Sequence, residues 1–397
     1  MADNNENKVL NVPHLRFPEF TEEWEETTLG KISEITKGSG ISKDQLSEQG
    51  SPCILYGELY TKYKSEIIDE VYSRTELDSS SLVKSKANDV IIPCSGETAI
   101  DISTARCVPF NNILLGGDLN IIRLKHDDGG FFAYQLNGAR KKDIARVAQG
   151  VSVVHLYGEN LKHIRVYHPA IEEQKKITRL LSLIDERIAT QNKIIEDLKK
   201  LKSAIIEIEY SPKDSYHSHI GGAIVQISKR NKDNHLCNVL SVSNRQGFIK
   251  QSEQFEDRNV ASDDTSNYKI VEKNDFAYNP ARINVGSIAR LTKFETGIVS
   301  PMYICFRTKD CLLPEYLELF FESRNFFYHI QKRLEGSVRL CLSYEELCNI
   351  PIVIPSIEKQ KQVDLHLSKL AQKIDLEMKI LQFVQQQKTY LLHQMFI

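Results

Sequence analysis

The sequence lacks the short motifs that commonly mark an enzyme active site. It has no G-x-x-x-x-G-K-[ST] or G-x-G-x-x-G loop for a nucleotide, no G-x-S-x-G turn for a nucleophile, and no H-E-x-x-H helix for a metal. It also has no Pro-Asp start of the kind found in many nuclease sites. We therefore expect no catalytic residues and no metal site in this chain.

Targeting and redox signals are also missing. The opening MADNNENKVLNVP is polar and lacks the apolar core of a signal peptide, and no apolar run reaches the length of a membrane span. The eight cysteines form no C-x-x-C pair and no cluster with histidine. These absences predict a cytoplasmic protein whose cysteines are reduced, with no membrane partner.

The chain also lacks a strong charge of either sign. Its net charge is −2, so any nucleic-acid-binding surface must be local. The 397 residues, 41% of them hydrophobic and 26% charged, are typical of a globular protein with two or three domains.

What the sequence does have is one long helical pattern that occurs twice. Residues 171–209 contain no Pro or Gly, and their apolar residues recur at alternating steps of three and four, as in a coiled-coil seam. The same pattern returns in residues 357–396. Gly336 follows Gly150 by 186 positions, and at this offset the two segments align without a gap. The predicted seam comprises Leu181, Ile184, Ile188, Gln191, Ile195, Leu198, Lys202 and Ile205, with Leu367, Leu370, Ile374, Glu377, Leu381, Val384, Lys388 and Leu391.

The duplication extends beyond the helices. Asn274-Asp275 follows Asn88-Asp89 at the same offset, and short β-type runs alternate with turns in both halves. We predict five segments: 1–29 is an N-terminal anchor that packs on the C-terminal helix, 30–168 and 211–354 are α+β domains, and 169–210 and 355–397 are the helices. Ser356 is the predicted N-cap of the second helix.

The polar positions of the seam predict how the helices pair. If the two copies pack antiparallel, one register places Gln191 opposite Lys388 and Lys202 opposite Glu377, with apolar residues facing each other elsewhere. Polar seam residues commonly fix alignment in coiled coils, so we predict this register.

Polar residues that follow predicted strands are candidates for binding. They occupy corresponding places in the two halves, and Arg, Asn, Gln and Glu side chains can read base edges in the major groove. The alternative is that such residues only cap turns and strand ends. The candidates are Tyr56, Glu58, Tyr60, Thr61, Lys62, Ser95, Glu97 and Thr98 in the first half, and Arg245, Gln246, Tyr278, Asn279, Arg282, Asn284 and Ser287 in the second.

One run in the second half is similar to a catalytic motif. Tyr278-Asn279-Pro280-Ala281 resembles the N-P-P-aromatic motif of adenine methyltransferases. The second proline and the aromatic residue are absent, and no glycine-rich cofactor loop precedes the run. We do not assign it a catalytic role.

Over essentially its full length the chain resembles the DNA-specificity subunits of type I restriction–modification systems. The opening PHLRFPEFTEEWEETTLG is similar to their N-terminal signature. The stretches VSVVHLYGENLKHIRVYHPAIEEQKKI and SVRLCLSYEELCNIPIVIPSIEKQKQV are similar to their junctions between strand and long helix.

The resemblance implies an α+β fold with two duplicated target-recognition domains joined by two long antiparallel coiled-coil helices in pseudo-two-fold symmetry. Each domain would read one half of a bipartite site in double-stranded DNA. The helices would set the spacing and bind two methyltransferase subunits, and motor-nuclease subunits would join the full complex. S-adenosylmethionine, ATP and Mg would be bound by those partners, with no cofactor in this chain.

Two other functions are compatible with the residues alone. A coiled-coil assembly scaffold would use its two domains to bind protein or peptide, and would show no sequence-selective DNA binding beside a methyltransferase. A solitary DNA-binding regulator would bind its operator tightly without partners, which the low net charge disfavours.

Overall fold

The computed structural model describes residues 10–211, 218–244, 246–254, 264–336 and 340–397. The chain divides into two compact units. The first unit comprises residues 1–193 and 379–397, and the second comprises residues 194–378, so both long helices contribute to both units. Within the described ranges, no helix has the length and apolar character needed to cross a membrane.

The first unit is a mixed α+β structure. Its strands are β1 (Glu25–Thr28), β2 (Ser33–Lys37), β3 (Ser51–Ile54), β4 (Ser73–Thr75), β5 (Asp89–Pro93), β6 (Ser95–Gly96), β7 (Arg106–Val108), β8 (Leu114–Leu115), β9 (Leu119–Leu124), β10 (Val154–His155) and β11 (Arg165–His168). Its helices are α1 (Leu29–Ile32), α2 (Glu58–Thr61), α3 (Ala99–Ile102), α4 (Gly129–Asn137), α5 (Lys141–Val147), α6 (Gly158–Lys162) and the first part of α7 (Ile171–Glu209).

Two sheets form the centre of this unit. One is antiparallel with the strand order β2-β9-β5-β7, and the other has the order β4-β3-β8 with β3 and β8 parallel. Strand β5 reads DVIIP and is buried along its whole length, as expected of a short, continuously apolar strand. Smaller pairs join β1 to β11 and β10 to β6.

The second unit repeats this plan. Its strands are β12 (Ser218–His219), β13 (Ile224–Ile227), β14 (Val239–Ser243), β15 (Gly247–Lys250), β16 (Lys269–Glu272), β17 (Phe276–Tyr278), β18 (Ile288–Arg290), β19 (Thr296–Val299), β20 (Ile304–Thr308) and β21 (Pro351–Ile352). Its helices are α8 (Ile220–Ala223), α9 (Gln251–Gln254), α10 (Pro314–Phe321), α11 (Arg324–Arg333), α12 (Tyr344–Cys348) and the first part of α13 (Ile357–Gln394). The sheet β13-β20-β17-β18 corresponds to the first unit's antiparallel sheet, and β15-β14-β19-β16 again contains one parallel pair, β14 with β19.

Backbone geometry confirms the duplication inferred from the sequence. Asn88 and Asn274 both adopt the left-handed region, with φ of 81° and 73°. The aspartate that follows each is almost fully buried: Asp89 accepts the backbone N–H of Lys86 at 2.8 Å, and Asp275 accepts that of Glu272 at the same distance. The two halves therefore share a turn that requires the same two residues.

The long helices begin where the alignment places them, 186 residues apart at Ile171 and Ile357. The predicted cap is present, since the Ser356 hydroxyl accepts the Lys359 N–H at 3.4 Å. Ion pairs join Asp185 to Lys388 and Glu209 to Lys359, so the first half of each helix lies beside the second half of the other. The helices are antiparallel as predicted, and all the predicted seam residues are buried or half-buried.

The predicted register, however, is wrong. It would place Glu209 opposite Leu370, about 16 Å along the helix from Lys359 at 1.5 Å per residue. The Glu209 carboxylate instead lies 3.4 Å from the Lys359 ammonium. Lys202 pairs with Glu322 at 2.6 Å, on a neighbouring helix of the second unit. A seam that repeats every seven residues is compatible with several registers. Lys202 was expected to select one of them by facing Glu377, but its ammonium pairs with Glu322 of the second domain.

The N-terminal segment packs on the C-terminal helix, as predicted. The Leu15 N–H donates to the Gln394 carbonyl at 2.8 Å. Arg16 binds Glu173, at the start of α7, through two bonds of 2.7 Å. Trp24 is buried against Phe131 and Phe396, with ring centroids 5.5 and 6.3 Å away. The segment thus joins the domain to the ends of both helices.

Candidate DNA interface

Four of the predicted residues in the first unit share one cleft. Strand β3 ends at Ile54, and the short helix α2 follows, so the side chains after the strand end gather beside it. The cleft has a volume of about 1020 Å³. Among its lining residues are Tyr56, Glu58, Thr61 and Lys62.

Within this cleft, Glu58 is bound by groups of its own domain. It is 6% exposed, and its carboxylate accepts the Leu55 N–H at 3.0 Å, the Lys62 ammonium at 2.6 Å and the Ser73 hydroxyl. These bonds hold the turn after β3. They also fix Lys62, whose side chain stays 46% exposed, so the lysine is the better placed of the two to meet a ligand.

A second group in the first unit forms around Tyr60. Its hydroxyl lies near Gly57 and Gly96, and burial together with Tyr56, Asp101 and Glu97 raises the pKa of this phenol. Strand β6 pairs Ser95 with His155, which holds the loop of Ser95, Glu97 and Thr98 next to Tyr60. Thr98 caps α3 by accepting the Asp101 N–H at 3.1 Å, while Glu97 is exposed.

In the second unit, three predicted residues meet in a smaller cleft of about 370 Å³. Asn279, Arg282 and Ser287 line it. Asn279 is buried, and its side-chain oxygen accepts the Ala281 N–H at 3.1 Å. The buried Ser287 hydroxyl donates to the Val242 carbonyl at 3.2 Å. Arg282 is exposed, and within the described residues the structure records no hydrogen bond or ion pair for its guanidinium.

The loop that carries Arg282 is held by its own backbone. The Arg282 N–H donates to the Asn279 carbonyl at 3.0 Å, and the Ser287 N–H donates back to the Arg282 carbonyl at 3.1 Å. Gly286 lies between them with φ of 87°, a conformation that favours glycine. The arginine therefore projects from a fixed turn.

The other predicted residues of this unit lie elsewhere. Tyr278 is fully buried, and its hydroxyl donates to the Leu342 carbonyl at 3.2 Å, so it belongs to the core. Asn284 is half-buried in the short 3₁₀ helix Ile283–Val285 and does not line the cleft. Gln246 is exposed outside the cleft, and its carbonyl accepts from Lys293 at 3.1 Å. Arg245 lies outside the described residues.

Sequence reasoning missed several lining residues. In the first unit these include Lys43, which reaches the cleft from the 3₁₀ helix Lys43–Gln45, and the Gly116-Gly117 pair. In the second unit they include Ser241, Ser300 and Tyr303. The available signal for Ser241 was the alternation in VLSVS of β14, where Leu240 and Val242 belong to the core. Ser300 and Tyr303 follow β19 and carried no comparable signal.

Comparison with known proteins gives two kinds of match. Residues 21–200 match the family profile of the type I restriction modification DNA specificity domain. The fold is similar to the type I restriction-modification system S subunit from M. genitalium, with a TM-score of 0.61, 16% identity, and coverage of 97% of this chain and 99% of that one.

A further similar structure is a chain from work on complex assembly and conformational transition of the type I R-M system. Its TM-score is 0.55 and its identity 12%, covering 93% of this chain and 96% of that one. The sequence matches no curated protein. The structural matches extend the likeness in fold to both repeats, whereas the family profile covers the first.

Proposed function

Since this chain belongs, through residues 21–200, to the type I restriction modification DNA specificity domain family, we propose that it selects the DNA site of such an enzyme. Each α+β domain reads one half of a bipartite site through the major groove. The observation that carries this proposal is the duplication of a whole domain together with its helix. Two copies of one fold with different surface loops suit the reading of two different half-sites.

The two clefts support different contacts with DNA in the two domains. Both are lined by polar side chains next to sheet strands, and both include Ser, Gln and Tyr. Their charged residues differ: the first contains Lys43, Glu58, Lys62 and Asp118, and the second contains only Arg282 among its described lining residues. Side chains of these types contact base edges and phosphates in protein–DNA complexes. A shared scaffold with differently charged clefts would let the two domains contact their half-sites in different ways.

The long helices serve as the spacer and as the docking surface for partners. Helix α7 has 39 residues, which corresponds to about 58 Å at 1.5 Å per residue. Readers placed on successive turns of DNA need a separation of about 34–36 Å, so helices of this length are sufficient. We propose that they bind two methyltransferase subunits.

The chemistry would then belong to the partners. The methyltransferase subunits would bind S-adenosylmethionine and methylate adenine. Motor-nuclease subunits, using ATP and Mg, would cleave DNA that lacks the mark. In this proposal the present chain contributes site selection and no catalytic residue.

Adenine methylation across a genome tests the proposal. The chain would be produced together with the methyltransferase subunit that it binds in this proposal, in a host that lacks adenine methylation. We expect a split motif in which two short defined halves are separated by a fixed, unspecified gap. Exchange of residues 211–354 for those of a relative with another specificity should change one half only, and exchange of residues 30–168 should change the other.

The reciprocal exchanges act as matched controls for each other, because each alters one unit and leaves the other intact. An unsplit motif, or a motif in which one exchange changes both halves, would contradict the division between the domains. A soluble, stable complex that leaves no methylation mark would favour a scaffold that binds protein.

A further inference from the structure

The cleft of the second unit has an unusual balance of polar groups. None of its described lining residues carries a carboxylate, and its one full charge is the guanidinium of Arg282. The remaining polar groups are hydroxyls and amides, among them those of Ser241, Asn279 and Tyr303. A cleft whose described lining carries a positive charge and no negative one favours an anion.

Existing hydrogen bonds leave several of these groups able to donate. The Asn279 side-chain oxygen already accepts the Ala281 N–H, which leaves its amide nitrogen to donate. The Tyr303 hydroxyl accepts the Val242 N–H at 3.4 Å, so its own hydrogen stays available. Asn279 and Tyr303 are 9% and 8% exposed, which places both donors inside the cleft and not on its rim.

These donors come from separate parts of the fold. Asn279 and Arg282 belong to the loop after β17, Ser241 lies on β14, and Tyr303 follows β19. A base edge offers acceptors in one plane, and guanine, the richest, offers only N7 and O6 in the major groove. A phosphodiester carries oxygens that point in several directions, and therefore matches donors that come from several walls.

We propose that this cleft binds a backbone phosphate of the DNA, with Arg282 as its charged contact and Asn279 and Tyr303 as inner donors. The inference rests on the proposed function and refines it. Arg282, which the sequence suggested as a base reader, then anchors the second domain on the DNA without reading sequence. Specificity in this half-site comes from other residues.

Arginine–phosphate contacts have a characteristic salt dependence, which supplies the test. Each neutralised phosphate contributes about 0.9 to the slope of log K against log salt for duplex DNA. DNA affinity would be measured for the complex of this full-length chain with its methyltransferase at several salt concentrations. The variant Arg282→Gln would be compared with Arg324→Gln, an exposed arginine on α11 that does not line the cleft.

For Arg282→Gln we expect a salt slope lower by about 0.9 and an equal loss of affinity for specific and non-specific DNA. The methylated motif should keep every defined base. Arg324→Gln should match the wild type in both measurements. A motif that becomes degenerate at one base pair, with an unchanged salt slope, would show that Arg282 reads a base and would overturn the proposal.

The phosphate that this cleft binds could also be free inorganic phosphate, and a binding measurement without DNA distinguishes the two sources. We expect no saturable binding of phosphate to the complex at constant ionic strength, because one guanidinium and neutral donors need the neighbouring DNA contacts. Phosphate binding in the absence of DNA that Arg282→Gln abolishes would assign the cleft to a free anion and overturn the DNA assignment. A wild-type complex that methylates only unsplit sites would instead contradict the proposed function, while the Arg282 comparison could still be made.

Discussion

The two units attach to the long helices in different ways, although they descend from one repeat. Lys388 and Lys202 occupy equivalent positions on α13 and α7. In the first unit, Lys388 is 13% exposed and lies between two carboxylates, Asp185 at 2.6 Å and Glu66 at 2.5 Å. In the second unit, the ion pair that the described residues form with Lys202 is to Glu322, which is 45% exposed.

The surroundings of the lysines explain the difference. Tyr134 donates its hydroxyl to Asp185 at 2.7 Å in the first unit, and its equivalent in the second unit is Phe320, which has no hydroxyl. The equivalent of Asp185 is Ala371. Both units pack an aromatic residue at the end of a long helix: Phe396 against Trp24 and Phe131 in the first, and Tyr210 against Tyr316 and Phe320 in the second. The first attachment therefore adds a buried ionic cluster to aromatic packing, whereas the second depends on aromatic packing without that cluster.

The largest expected difference between the units follows from removing each lysine. Lys388→Met leaves Asp185 and Glu66 buried without their cation, and such losses cost about 3–5 kcal/mol. Lys202→Met removes a pair near the surface, which is worth about 0–1 kcal/mol. Trp24, the only tryptophan of the chain, is buried in the first unit, so its fluorescence during urea unfolding reports on that unit.

Hydrogen exchange of residues 314–321 provides the matching readout for the second unit. We expect Lys388→Met to lower the urea midpoint seen by Trp24, and Lys202→Met to leave the exchange of α10 almost unchanged. Lys388→Met and Lys202→Met could instead destabilise their own units equally. This result would contradict the comparison, because the buried cluster would then stabilise its unit no more than the exposed ion pair does.

A second, smaller difference concerns pH. Burial, and then the charge of Glu66, raise the pKa of Asp185 to about 6, against an ordinary value of 3.8. The folded state therefore binds this proton more tightly than the unfolded state, and the free energy of unfolding rises as the pH falls from above 6 toward 4. A shift of this size corresponds to a change on the order of 3 kcal/mol.

Asp185→Asn removes the titrating group and separates its contribution from that of His168. A hydrogen bond to Asp127 raises the pKa of His168, so this histidine also favours the folded state at lower pH. The Trp24 urea midpoint of the wild type should rise between pH 7.5 and 5.5, less steeply in Asp185→Asn, and least in Asp185→Asn combined with His168→Gln. If the urea midpoint of Asp185→Asn depended on pH as steeply as that of the wild type, Asp185 would not be the group that causes the pH dependence.

Much of the architecture could be predicted because it depends on local patterns repeated in the chain. The helix starts, the Ser356 cap, the seam and the shared Asn-Asp turn all follow from residue type and spacing. The N-terminal segment was predicted to pack on the C-terminal helix, and it also contributes Trp24 to the core.

The sites were harder to predict because they depend on side-chain direction and distant partners. Neighbouring Tyr278 and Asn279 point to different surroundings, one into the core and one into the cleft, and no composition rule separates them. Glu58 looked like a reader, but Ser73 and Lys62 bind it within the domain. The cluster of Glu66, Asp185 and Lys388 joins residues far apart in sequence, so neither it nor the helix register could be predicted from spacing.

The smallest expected effect tests whether the second attachment depends on packing and not on polar bonds. The Tyr210 hydroxyl donates to the Tyr316 carbonyl at 2.6 Å, and both residues are buried. Tyr210→Phe removes this bond and keeps the ring, so it should cost about 1 kcal/mol. Tyr210→Leu also removes the ring contacts at 4.8 and 5.5 Å, and should accelerate exchange of residues 314–321 further.

Phe396 supplies the matched control, because it is the equivalent of Tyr210 at the end of α13 and packs against Trp24 without a hydroxyl. Both measurements can be converted to a free energy of unfolding. Phe396→Leu should lower the value reported by Trp24 by about as much as Tyr210→Leu, relative to Tyr210→Phe, lowers the value reported by exchange of residues 314–321. If Tyr210→Phe alone accounted for the whole loss in the second unit, the hydroxyl would be the main attachment. Both junctions would then depend mainly on polar contacts, and the contrast between them would be lost.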